Sequence, residues 1–536
     1  MKSLKKIDRY KLIMSIIPLG FVGVFAAFEH FVKQYGDIDN FLISMVLNGA
    51  YSEQDNYTFF VHPLTAVIVK GLSKVFRYAD GYLLLVWVCV LLSLYFLVKG
   101  ILKFFERDYK RALLTAGAVT VIYGALDTVH SNFTVLTAVL ALSGSLLILM
   151  GTFNDGYEAE VYEGVFVWFT SFLFRQESAL IMLMFFGISL LFKAFSFSKT
   201  RIIELLKRHL IPVCLFVLMF IAMIVSKFIT VSSERYRGGM EYSNLRSSIV
   251  DYYEGGYQYL HYLMDTENMN ETTLSVVLDG FKAGGTRLVD PNPLKGFVKN
   301  YLSSYTALMI LLLICLLMVI VLGFCKEKTV KWSVCVSFIV GMAFIGACYL
   351  QGRAPERILL LFQIGMLIGL VDGVNGVDTI HKSELKSLAI WALLLVPIVF
   401  LRMDYTVHQN VFTARTNNED LAEYRTDGFY VWDVFLYDVN VMYPYMEAGK
   451  LFPAELIEHN IPDGEWIYGQ PYFEDFLKKI GHESPMDSLF NDDNSYYVAY
   501  SEGVELVIAY RTAGNEYEIV QNGDISKISV NKFVLR

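Results

Sequence analysis

The sequence predicts an all-α polytopic membrane protein with about eleven transmembrane helices and a small α+β soluble C-terminal domain. Three observations carry that expectation. Of 536 residues, 55% are hydrophobic and 18% charged, whereas soluble domains carry about 25% charged residues; the mean hydropathy is +0.44. The apolar residues fall in long runs separated by short basic clusters. From about Arg402 the composition turns polar, dividing a membrane module, 1–403, from a C-terminal domain, 404–536.

A hydrocarbon core of ~30 Å needs ~20 apolar residues in helix. Backbone groups in lipid must be bonded within the segment, so each such run is read as a helix. Runs of this kind lie near 12–32, 81–104, 111–128, 132–151, 161–174, 178–195, 210–231, 303–325, 332–350, 356–372 and 386–403. The first is longer than a signal-peptide core and lacks a small-residue cleavage site, so it reads as a retained span. The fifth is short.

Basic residues orient the set. Lys2, Lys5, Lys6, Arg9 and Lys11 precede the first span, and Lys103, Arg107, Lys110 and Arg111 follow the second. Lys199, Arg201, Lys207 and Arg208, then Lys326, Lys328 and Lys331, then Lys382 and Lys386, follow the sixth, eighth and tenth. All five clusters fall on one side. This predicts a multi-pass plasma-membrane protein with a cytoplasmic N-terminus and an extracytoplasmic C-terminal domain. The turn 152–160 is on the basic side but holds only Asp155, Glu158 and Glu160. The opposite side receives loop 33–80, loop 232–302 and the tail. In the tail, Trp466–Ile480 reads as a turn and helix, and Ser495–Val534 as short strands with a hairpin at Asn522-Gly523.

The net charge of −8 excludes the basic footprint of a nucleic-acid binder. The six cysteines have no metal-ligand spacing and lie in or beside apolar runs, as small buried hydrophobes do.

Candidate chemistry concentrates in loop 33–80. Gly36-Asp37-Ile38-Asp39-Asn40 offers two carboxylates at a membrane surface, a general-base or metal-ligand pattern. The plainer reading is a solvated loop, with Asp39 or Asn40 capping a helix over Phe41–Gly49. Further on, His62-Pro63-Leu64 opens an amphipathic stretch to Phe76 that suits a surface helix. At its N-terminal end His62 meets a phosphate or serves as a cap or packed histidine.

An acidic residue just after the first span, followed by a His-Pro element opening a surface helix, resembles the first external loop of the GT-C superfamily of membrane glycosyltransferases. That group includes the protein O-mannosyltransferases and the lipid A aminoarabinose transferases. The layout over 1–403 is similar too, with a large first external loop and a second external loop, 232–302, after the seventh span. Two features depart from the family pattern. Leu64 stands where relatives carry a second proline, and Asp37-Ile38-Asp39 replaces an adjacent acidic pair. The resemblance implies that Asp37 or Asp39 is catalytic; Asp39 is nearer in register to the helix.

Charged residues near membrane depth are functional candidates. Arg175 and Glu177 interrupt apolar sequence at the outer end of the fifth span, as a phosphate-binding group or a local ion pair. Arg353 and Arg357 lie between the ninth and tenth spans, where two guanidiniums suit a phosphate. Asp127 and His130 follow the third span, near where relatives place a second acidic residue. The glycines and tyrosines of 232–302 suit a mobile lid or plain filler. Aromatics of the tail (Tyr430, Trp432, Tyr443, Trp466, Tyr468, Tyr472) stack on sugars or, more simply, form a domain core.

The resemblance implies an inverting transferase that takes a sugar from a polyprenyl-phosphate donor to an envelope glycan, lipid or protein acceptor. Asp39 or Asp37 would be the base, and His62, Arg175, Arg353 and Arg357 would hold the donor phosphate. No obligatory metal or other cofactor is expected. A flippase for a lipid-linked saccharide is the alternative from another class, although no internal repeat or mid-membrane break of the transporter kind is visible. A membrane acyltransferase using His62 is a third.

Overall fold

The computed structural model describes residues 16–23, most of 38–104, 132–250, 304–351 and 355–375, and parts of 425–535. Expectations that fall on Asp37, Asp127, His130, Arg353, Tyr443 and the runs 111–128 and 386–403 lie outside the described residues, apart from isolated positions.

The N-terminal part is a helical bundle. In chain order its helices are α1 (Ile38–Leu47), α2 (Pro63–Val75), α3 (Gly81–Phe104), α4 (Phe133–Phe153), α5 (Glu158–Phe174), α6 (Gln176–Phe195), α7 (Lys199–Arg208), α8 (Leu210–Val231), α9 (Glu234–Val250), α10 (Tyr305–Phe324), α11 (Lys328–Leu350) and α12 (Glu356–Asn375). Among the described residues, six of these (α3, α4, α6, α8, α10 and α11) are long and apolar enough to cross a membrane. The apolar helices α5 and α12 pack into the same bundle, but α5 is only 17 residues long. The structure therefore carries fewer described spans than the eleven expected.

Helix α4 is the axis of this bundle, and its membrane-length window is buried from end to end. A uniformly apolar helix can be enclosed only if its neighbours come close, and small residues permit that. A Cβ on Gly144 would lie 2.8 Å from the Gly164 carbonyl oxygen and from the Trp168 ring, and one on Gly164 would lie 2.7 Å from the Gly144 carbonyl. A Cβ on Gly151 would similarly meet the Tyr157 carbonyl at 2.6 Å. The two backbones touch along this seam.

Side-chain registers fix helix direction. Ser143 donates to the Ser93 carbonyl and Gly100 faces Leu146, so α3 and α4 start at one end. Gly365 faces the Phe185 ring and Gly369 faces Ser189, so α12 runs parallel to α6. Ser304 donates to Glu356, which puts the start of α10 at that same end. The opposite end gathers Lys103, Lys193, Lys199, Arg201, Lys207 and Arg208. There Phe153 stacks on Phe197 at 5.3 Å. Glu160 and Glu158, at the start of α5, pair with Lys103 and Arg208. The turn that lacked basic residues thus borrows its cations from α3 and α7.

Local differences from expectation have physical causes. Helix α1 begins at Ile38 rather than Phe41. Asn40 is therefore not a cap; it is buried and accepts from the Tyr82 hydroxyl at 2.9 Å. The first part of loop 232–302 is not filler but the helix α9, and the cluster at 199–208 is an amphipathic helix capped by Ser198.

The C-terminal residues form a five-stranded sheet, β1 (Phe429–Trp432), β2 (Asn460–Pro462), β3 (Ser495–Ala499), β4 (Tyr517–Ile525) and β5 (Ile528–Leu535), in the order β2-β1-β3-β5-β4. β1 pairs in parallel with β2 and β3, whereas β5 pairs antiparallel to β3 and β4. Helices α13 (Ala454–His459) and α14 (Pro471–Ile480) accompany it. Ile525 pairs with Ile528, so the hairpin reverses after Ile525, and the shift between Gln521 and Asp524 makes Asn522-Gly523 an irregularity inside β4 rather than the turn. Tyr430, Trp432, Trp466, Tyr468 and Tyr472 are all buried.

A Gly144→Ala variant should lose about 1–3 kcal/mol through overpacking, read as a lower unfolding temperature in detergent. Gly187→Ala, on α6 with nothing within 4 Å of its Cβ position, should leave that temperature unchanged or raise it.

Candidate functional site

The loop 33–80 is held by a buried polar knot. Asp80, just before α3, accepts from the Ser44 hydroxyl at 2.5 Å, the Asn48 amide at 2.8 Å and the Leu83 N–H at 2.9 Å. Asn48 in turn accepts from Ser73 at 2.8 Å and from the Gly81 N–H at 3.0 Å. A Cβ on Gly81 would lie 2.6 Å from Ser73 Oγ, so glycine is needed for this approach. Burial pushes the Asp80 carboxyl up to about 7, against the opposing pull of its backbone hydrogen bonds. α1 and the start of α3 meet on this one carboxyl, and α2 joins them through the Ser73–Asn48 hydrogen bond.

His62 is the N-cap of α2: its Nδ1 accepts from the Leu64 N–H at 3.1 Å, and Pro63 follows it in the first turn. Its Nε2 lies 3.1 Å from the Met223 carbonyl and 2.8 Å from Ser226 Oγ on α8. The ring is buried, and burial, opposed by the Met223 carbonyl and aided by Lys227, lowers its pKa to about 4. Both ring nitrogens are thus engaged within the protein, and His62 ties α2 to α8. This is the geometry of a capping, packed histidine.

Asp39 lies in the first turn of α1, and Arg357 lies in the first turn of α12. Their charged groups are 3.7 Å apart, and both side chains are partly accessible. The two residues are separated by more than 300 positions in sequence, so nothing local pairs them; α12 supplies the partner.

The second charge centre is at the turn between α5 and α6. That turn is a single extended residue, Arg175 (φ −147°, ψ 107°). Arg175 donates to Thr134 Oγ1 at 2.7 Å, its guanidinium lies 5.2 Å from the centre of the Phe133 ring, and its Nε is 3.9 Å from Glu177. Lys227, on α8, donates to the same Glu177 at 3.1 Å. The two ends of that pair differ in accessibility: the Lys227 side chain is 10% exposed and that of Glu177 62%. A buried ammonium needs a compensating anion, and here a solvent-facing carboxylate supplies it. Lys227 was not singled out in the sequence because it sits inside an otherwise apolar run. Charge at that depth was the available signal.

The two centres share a level. Helix α12 meets α6 at the pairs 365/185 and 369/189. The same offset carried back two turns sets Arg357 beside position 177. Asp39, Arg357, Arg175, Glu177 and Lys227 therefore belong to one end of the bundle, opposite the basic end.

The C-terminal segment closes over this end. Trp466 packs edge-on against Phe59 and Phe60, at 5.5 and 5.0 Å between ring centres. Phe60 lies against Phe133, the ring beneath Arg175. Tyr51 packs on Phe473 and Phe476. Helix α9 holds the other side through the Arg246–Glu465 ion pair, 3.1 Å, and the Tyr242–Tyr468 contact. An open cleft of about 530 Å³ lies elsewhere, beside β1, lined among others by Asp427, His459, His482 and Asp492. No sequence-derived site residue lines it. Among the described residues no group of His, Cys, Asp and Glu has metal-binding geometry.

No family model matches the chain, and no curated protein does. Among solved structures, the crystal structure of ArnT from Cupriavidus metallidurans in the apo state is similar with 11% identity and a TM-score of 0.42, over 96% of this chain and 98% of that one. The same protein bound to undecaprenyl phosphate is similar with 11% identity and a TM-score of 0.40, over 98% of each chain.

Because the His62 pKa falls from 6.5 to about 4 on folding, its contribution to stability is present above pH 6.5 and lost as pH falls through about 4. The unfolding temperature should decline across that window. His62→Asn, which keeps a capping side chain, should be less stable at neutral pH and show a shallower decline, as measured by thermal unfolding in detergent against pH.

Proposed function

We propose that the protein is a membrane glycosyltransferase that moves a sugar from a polyprenyl-phosphate donor to an acceptor on the outer side of the plasma membrane. The observation that carries this reading is the arrangement of charge at one end of the bundle. One carboxylate, Asp39, is held by Arg357, and two cations, Arg175 and Lys227, converge on Glu177.

The reaction needs a base for an acceptor hydroxyl and fixed positive charge for a departing phosphate. In this reading the acceptor oxygen attacks the anomeric carbon from the face opposite the phosphate. The bond between that carbon and the phosphate oxygen breaks, its electron pair stays on the phosphate, and the acceptor proton passes to Asp39. Inversion follows from the single displacement. Arg357 positions the Asp39 carboxylate. Arg175 and Lys227 receive the phosphate, which competes for them with Glu177; that carboxylate is exposed enough to swing away. Asp37 and Arg353 stay as alternates to Asp39 and Arg357 within the same scheme, and His62 has no part in it. The groove between apolar helices takes the prenyl chain, and the acceptor is an envelope glycan, lipid or protein.

Purified protein incubated with a labelled polyprenyl-phosphate sugar should release the sugar, by transfer or slow hydrolysis. Movement of intact donor across vesicles without release would replace this reading with a flippase. Asp39→Asn should lower release by about 100-fold or more with unchanged expression. Arg175→Ala and Lys227→Ala should each lower kcat/KM by about 100-fold, and an active Asp39→Asn enzyme would remove Asp39 from its role.

A further inference from the structure

Buried polar groups in folded proteins nearly always have hydrogen-bond partners, and clustered exceptions call for an explanation. Five such exceptions gather where the C-terminal segment meets the first external loop. The Tyr57 hydroxyl, Thr58 Oγ1, Trp466 Nε1, Gln470 Nε2 and the Tyr472 hydroxyl are all buried and have no hydrogen-bond partner among the described residues. Each of the five residues is at least nine-tenths buried. Two come from the loop and three from the segment just before and within α14, so the two sides of one seam are both unsatisfied.

The five lie along one seam, with Gln470 against Gly239 of α9, a turn from Tyr236. Tyr57 stands edge-on to Tyr236 of α9 at 5.2 Å. Tyr472 lies within electrostatic reach of both those tyrosines, and Tyr57 within reach of Glu177. Trp466 is in contact with Phe59 and Phe60, next along the chain from Thr58. The seam therefore borders the Arg175–Glu177–Lys227 centre.

Its chemistry is narrow. Two N–H groups donate only, and three hydroxyls both donate and accept. None of the five is charged. Burial holds both tyrosine hydroxyls above their ordinary pKa, so they keep their protons. Flat aromatic faces line the same place. Neutral hydroxyls, amide and indole N–H groups and aromatic faces together match a polyhydroxylated ring. A phosphate or carboxylate would instead call for the cations, which lie in the adjoining centre.

We propose that this seam is the subsite for the hydroxyl-bearing ring of a saccharide substrate, whose hydroxyls satisfy Tyr57, Thr58, Trp466, Gln470 and Tyr472 when the C-terminal segment closes on it. The inference rests on the glycosyltransferase reading for its place in a reaction, but not for the binding itself.

The test uses the full-length protein in detergent and a panel of methyl glycosides of hexoses, pentoses and N-acetylhexosamines, read by thermal unfolding. At least one glycoside should raise the unfolding temperature saturably. The Tyr57→Phe/Tyr472→Phe double variant should bind it about tenfold more weakly or worse. Without ligand, that variant should be as stable as the natural protein or more so, because two unsatisfied hydroxyls are gone; hydroxyls with a purely structural role would make it less stable. The proposal is overturned if no glycoside shifts the transition, if the double variant binds as the natural protein does, or if it is destabilised without ligand. Should glycosides bind while a polyprenyl-phosphate sugar is never cleaved, the transferase reading fails and the subsite stands. Should the donor be cleaved with unaltered kinetics by the double variant, the subsite fails and the transferase reading stands.

Discussion

The backbone contact between Gly144 and Gly164 sets the geometry of the whole bundle end that lies opposite the basic cluster. Without a hydrophobic drive between helices in lipid, close van der Waals packing must hold them together, and this seam brings two backbones into direct contact in the bundle's centre. It fixes α5 against α4 from Gly151 to the level of Trp168. Thr134 and Phe133, at the start of α4, are thereby brought beneath Arg175, at the end of α5. Helix α6 returns at once and carries Glu177 to the same place, and α12 follows α6 in register to deliver Arg357.

Two polar clusters at this end are solved in opposite ways. Around Asp80 every donor finds an acceptor, and the knot locks α1, α2 and the start of α3 together. A satisfied buried network rigidifies its surroundings, whereas a partly satisfied one is costly. Between Tyr57 and Tyr472 the second condition holds. The contrast separates a scaffold from a surface built to meet something else. His62 belongs to the scaffold.

The sequence made the bundle legible because its signal is a run of apolar residues, which needs no knowledge of partners. The ends of α3, α4, α6, α8, α10 and α11 lie close to the expected runs for that reason. The first loop was half legible. His62-Pro63 announced a helix start, and the start is there, but nothing local says that the imidazole turns inward to Met223. Asp39 was visible as a carboxylate at the surface; its partner was not, since pairing with Arg357 depends on the α6–α12 register. Lys227 hid inside hydrophobic sequence, and α9 was masked by polar composition that reads equally as loop. The Asn522-Gly523 signal failed because turn propensity is local, whereas the sheet places the reversal by the register of β4 on β5.

Arg175 is the whole of the connection between two antiparallel helices. A link of one residue leaves no slack to absorb a change in length. One added residue would rotate α6 by about 100° about its axis, carrying Glu177 away from Lys227 and shifting Gly365's neighbour Phe185 off the face where α12 needs it. Substitutions along this chain are local events. At position 175, length itself is under constraint, and the distance between cation and carboxylate is written into the residue count rather than into either side chain.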